Sequence, residues 1–101
     1  MTTCEDRVQG ERLARELVEQ RLGACVSIGA PVISAFPWEG KIDIATEVPL
    51  TIKTTAERLP GLKRAFAEHH PYEVPEMLVV PVIDGLEAYF AWAEDWMKNE
   101  K

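Results

Sequence analysis

The 101-residue chain has no apolar run near the length of about 18 residues that a membrane span requires, and its start, MTTCEDRVQG, lacks the basic opening and apolar core of a secretion signal. A cytoplasmic setting with no membrane partner is the expectation. Basic residues are scarce too: 11 Lys and Arg stand against 17 Asp and Glu, for a formal net charge of -6, with both signs interspersed. A binder of phosphate backbones needs a basic face, so nucleic acid is not an expected partner. Cysteine occurs only as Cys4 and Cys25, without C-x-x-C spacing or the density of a disulfide framework, so both read as thiols. Catalytic signatures are also missing, with no glycine-rich phosphate loop, no G-x-S-x-G and no H-E-x-x-H. A Cys25 and His70 pair would need an exposed, activated thiol, whereas LGACVSI reads as a buried stretch. The chain is therefore read as no enzyme.

What is present suits one α+β domain over residues 1–101, with no repeat or linker. Gly10, Leu13, Ala14, Leu17, Val18 and Leu22 form a stripe at helical spacing, which predicts a helix over about 7–22, started by Asp6 and stopped by Gly23. Two β segments follow, joined around Glu39 and Gly40 into a long hairpin, in which Pro31, Pro37 and Pro49 imply edges, bulges or bends. A second helix is expected over about 56–69, with Pro60 in its first turn and Pro71 as its stop. EMLVVPVI, residues 76–83, reads as a short strand covered on both faces, and GLEAYFAWAEDWMKNEK as a closing helix. Helix, strand, strand, helix, strand, helix lacks only a leading strand to become a ferredoxin-like split βαβ sandwich. Residues 1–4 are all that remains for it, so the first strand is expected to be truncated.

RLGACV, WEGKI, TEVPLTIKT, HHPYEVPE and AYFAW follow one another in an order and spacing that closely resemble the CutA family of divalent-cation tolerance proteins, over about residues 2–96. That resemblance implies a ferredoxin-like subunit in a homotrimer, the long hairpin of its second and third strands reaching onto neighbours. It also implies copper or another divalent cation as the bound ion, in response to metal. Carried onto this chain, the implied ligands are Cys4, His69 and His70. The chain departs from the family pattern at Ser27, Phe36, Pro37 and Pro49, which bear on hairpin geometry.

Thiolate and imidazole are the ligand types that copper and zinc favour. Adjacent histidines at a helix end, however, point about 100° apart, so one of them is the natural ligand. Their alternative role is to complement the helix C-terminus. Tyr72, Glu73 and Glu76, on a short connection held by Pro71 and Pro75, form an expected intersubunit cleft with Glu47 and Lys53 of the hairpin; the competing reading is an intersubunit hydrogen-bond and ion-pair network that fixes the trimer. Trp38 at the hairpin end is expected to anchor the interface, and Trp92 and Trp96 to pack on the sheet. A trimer of this fold also resembles the PII signalling proteins, which implies a small-ligand sensor or interaction scaffold as the alternative function.

Overall fold

The computed structural model describes residues 1–98, so the last three residues of the expected closing helix lie outside the described residues. Strand β1 is Thr2–Cys4, helix α1 Arg7–Glu19, β2 Cys25–Ile28, β3 Val32–Trp38, β4 Lys41–Lys53, α2 Leu59–His69 and α3 Glu87–Lys98. The sheet is antiparallel in the order β1-β4-β2, and β3 continues along β4 beyond β2. This is the ferredoxin-like α+β arrangement with a stub for its first strand.

Alternation along the strands decides where the core sits. Val48, Leu50 and Ile52 of β4 point to one face with Val26 and Ile28 of β2, and there they meet Leu13 and Leu17 of α1 and Leu62, Ala65 and Phe66 of α2. Both helices therefore cover one face. Asp6 starts α1 as expected, with its carboxylate accepting the Gln9 N–H at 2.9 Å. The stop differs from the expectation: α1 ends at Glu19, and Arg21, at φ 60, takes the left-handed turn position rather than Gly23. For a residue with a Cβ that conformation costs roughly 1–2 kcal/mol. Residues 56–69 split into a 3-10 turn, Ala56–Arg58, and α2, with Pro60 in the first turn where no helical N–H is lost. At Gly61 a Cβ would come within 2.8 Å of Leu22 Cδ2, so glycine lets α2 lie close against the end of α1.

The expected hairpin forms around Glu39 and Gly40, at φ 51 and 79, the paired positive values of a two-residue turn whose twist matches the strands. Pro49 is tolerated inside β4 for a visible reason. Its carbonyl accepts the Gly29 N–H at 2.9 Å, so its missing amide proton faces the gap between β2 and β3, where no ladder partner is required.

Two expectations fail. Residues 76–83 form no strand, and apart from Met77, which packs half-buried against the core, they are exposed; a reciprocal backbone pair joins Met1 and Leu78, at 2.8 and 3.1 Å, and Ile83 is 94 % exposed. In α3 only Ala93 and Met97 are buried, and Trp92 stays 55 % exposed, because α3 packs by its last turns onto Ala24 rather than along the sheet.

Candidate functional site

The residues that the sequence grouped around EHHPYEVPE separate once folded. His70 follows the end of α2 and is buried at 8 % exposure. Its Nδ1 accepts the Tyr72 backbone N–H at 3.1 Å, so the ring proton sits on Nε2, 3.0 Å from Thr2 Oγ1. Burial holds its pKa below the ordinary 6.5, opposed by a backbone contact at Thr3. Both nitrogens are thus engaged in joining β1 to the loop after α2. His69 lies on the exposed side, with Nε2 3.7 Å from the Glu68 carboxylate.

Cys4 belongs to the main core and has no exposed surface. Burial, then the charges of Asp6 and Glu47, push its thiol up to about 11, which keeps it protonated near neutrality. Among the described residues no three His, Cys, Asp or Glu side chains gather around one point in a way that could hold an ion. Within one chain, Cys4, His69 and His70 do not form a ready donor set: one thiol is buried and protonated, one imidazole is fully bonded, and one is exposed beside Glu68.

Glu47 and Tyr72 do come together. The Tyr72 hydroxyl donates to Glu47 Oε2 at 2.7 Å, and Thr3 Oγ1 donates to the same oxygen at 3.2 Å. Burial opposes ionisation of Glu47, but the hydroxyls of Tyr72, Ser34 and Thr3 outweigh it and bring its pKa below 4.5. Tyr72 is pushed up in turn, first by burial and then by its bond to Glu47 and the neighbouring negative charges. The His70 and Tyr72 rings lie 5.2 Å apart, so histidine, tyrosine and carboxylate form one connected run. Lys53 lies six residues along β4 from Glu47, where its Nζ donates to Ser27 Oγ at 2.8 Å, with Cys25 Sγ 4.0 Å from the same hydroxyl. Cys25 is half-buried rather than part of the core, because it alternates onto the face opposite the helices. Glu73 and Glu76 are exposed on the loop, and Trp38 is exposed at the hairpin tip.

Sequence reading missed Thr2, Thr3 and Ser34. Their hydroxyls matter only through strand register: Thr3 pairs with Pro49, beside Glu47, while Thr2 faces the helix layer and meets His70. A threonine repeat in the first strand was the available signal, and nothing local distinguishes it from ordinary strand composition.

Residues 1–96 match the family model described as CutA1 divalent ion tolerance protein. The divalent-cation tolerance protein CutA of Yersinia pestis (strain Pestoides F) is 35 % identical over 92 residues, which cover 91 % of this chain and 77 % of that protein. Among solved structures, CutA1 from the psychrotrophic bacterium Shewanella sp. SIB1 is 40 % identical with a TM-score of 0.89, covering 94 % of this chain and 89 % of that one. The periplasmic divalent cation tolerance protein CutA from Archaeoglobus fulgidus is 33 % identical with a TM-score of 0.90, covering 95 % and 93 %. With the fold and nearly the whole length matched, this chain belongs to the CutA1 family of divalent ion tolerance proteins.

Proposed function

We propose that this divalent-cation tolerance protein works as a homotrimer that binds divalent metal ions, copper among them, weakly and without catalysis. The surface of the single chain carries the assembly part of this reading. A compact monomer of 11.4 kDa exposes about 5,800 Å², whereas this chain exposes 7261 Å², an excess of roughly 1,500 Å². That matches what each partner covers in an obligate interface, about 1,000–2,500 Å². The excess is apolar where it matters: Ile33, Ile42 and Ile44 on the hairpin, Leu78–Val80, Val82 and Ile83 after the loop, and Leu86 and Trp92 at α3 are all exposed. Patches of that extent are covered by partners. The radius of gyration, 14.6 Å against about 13 Å for a compact chain of this length, reflects the same projecting hairpin.

For the metal, His69 is the accessible imidazole and Glu68 its neighbouring carboxylate, so the first contact falls there. Cys4 and His70 would join only after local opening, which is consistent with weak binding. Calorimetric titration of copper into wild type, His69→Ala and His70→Ala, with sedimentation equilibrium for the mass, tests both parts. Loss of binding in His69→Ala and a threefold mass support the reading; unchanged isotherms in both variants defeat the histidine assignment. A cytoplasmic setting completes the proposal and is checked by cell fractionation.

One observation favours the PII-like alternative, in which an intersubunit cleft takes a small ligand. Thr3, Glu47, Thr51, Lys53 and Ser27 lie on the sheet face that no helix covers among the described residues, and Tyr72 reaches Glu47 there with Glu73 and Glu76 on the same loop. Thermal-shift screening against metals and metabolites separates the two readings, because a ligand of the native state raises its midpoint. A shift with copper and none with metabolites removes the alternative.

A further inference from the structure

Helix α1 closes with two crossed backbone bonds: the Arg21 N–H donates to the Val18 carbonyl at 3.0 Å, and the Leu22 N–H to the Leu17 carbonyl at 2.9 Å. The pattern places Arg21 at the left-handed position that glycine fills without strain. An arginine there breaks a local rule, and such breaks point to a task for the side chain. Its task is visible at α3. The guanidinium lies 3.7 Å from the Trp96 ring centre, and Nη1 donates to the Trp96 carbonyl at 3.0 Å. The Trp96 indole N–H donates back to the Val18 carbonyl at 3.0 Å, the acceptor that also takes the Arg21 N–H. Arg58 reaches the next carbonyl, that of Met97. Two guanidinium groups therefore meet backbone carbonyls in the last described turn of α3.

The apolar attachment of α3 is small by comparison. Ala93, Met97 and part of Trp96 pack on Ala24, while Leu86, Tyr89, Phe90 and Trp92 face outward. Arg21 Nε is buried without a hydrogen-bond partner among the described residues, so the clamp persists against a polar penalty as well as backbone strain. We infer that Arg21 is a latch: a strained arginine at the end of α1 that docks α3 and so presents the Leu86–Trp92 face to a second copy of the chain. The identity of that partner rests on the homotrimer reading above; the latch itself rests on the geometry within one chain.

Hydrogen exchange read by mass spectrometry on the whole assembled protein tests it, with Arg21→Gly, Arg21→Lys and wild type compared. Arg21→Gly relieves the backbone and removes the clamp; Arg21→Lys keeps charge and strained backbone but loses the flat fork that stacks and bonds together. Both variants are expected to speed exchange across Glu87–Lys98 about tenfold while β4 keeps its protection, and native mass measurement is expected to show fewer trimers. Unchanged protection of α3 in both variants overturns the latch, as does equal loosening of β4 and α3, the mark of a merely global contribution. A monomeric wild type defeats the trimer and the presenting role together, and the exchange comparison still reads the docking of α3 separately.

Discussion

Replacing Tyr72 by Phe removes one hydroxyl and tests whether the Glu47 cluster holds the loop after α2 to the sheet. The bond is short, 2.7 Å, and its acceptor is ionised, a class of hydrogen bond that contributes about 1.5–3 kcal/mol when lost. Both side chains are half-buried, and Thr3 and Ser34 remain to satisfy the carboxylate, so the lower end applies, about 1.5 kcal/mol. With a urea slope on the order of 1.5 kcal/mol per molar for a chain of this size, the midpoint falls by about 1 M at fixed protein concentration. The pH dependence adds a second readout. Glu47 has a folded pKa below 4.5, so its stabilisation is complete above that value and is lost as pH falls through the folded pKa. The gap between wild type and Tyr72→Phe should therefore be full at about pH 7 and shrink towards pH 3. Urea curves at both values, with Glu47→Gln and the double variant completing the cycle, give the coupling between the two groups. A loss under about 0.3 kcal/mol near neutrality, or a gap that does not change on acidification, would refute the argument.

Leu50, 1 % exposed at the centre of the core, should lose about 3 kcal/mol on change to Ala, read as a drop in the denaturation midpoint. His70 is buried neutral with a depressed pKa, so its contribution is present above about pH 6.5 and lost as pH falls through the folded value; NMR should show it titrating below 6.5, and His70→Gln should flatten that part of the stability profile. Val80→Lys with Ile83→Lys places two charges on the exposed apolar segment and should reduce the mass in sedimentation to that of one chain, with the circular-dichroism spectrum retained. Cys4 should stay unreactive towards a thiol reagent near pH 8 until denaturant is added, because it is enclosed and its pKa lies at about 11.

Local chemistry made much of the fold legible. Asp6 announces α1, Pro60 and Pro71 frame α2, and Glu39-Gly40 marks the hairpin turn, because each acts through its own backbone or that of residues three or four away. The segment at 76–83 misled for the complementary reason. Its apolar run reads as a covered strand, and composition cannot say whether the same chain supplies a neighbour to pair with and cover it. The metal reading shows the same division: thiol and imidazoles are the right types, yet their exposure and protonation are set by what packs over them.

By itself, then, the sequence determined the three helices, the hairpin turn, the family blocks and the pairing of an acidic strand residue with a tyrosine-bearing loop as candidates, but not the full order of strands. Tertiary structure decided which groups meet: Thr2 with His70, Thr3 and Tyr72 with Glu47, Arg21 with Trp96. Those contacts join residues 25 to 75 positions apart, and they depend on strand register and helix docking, which hydrophobic periodicity constrains only to a face.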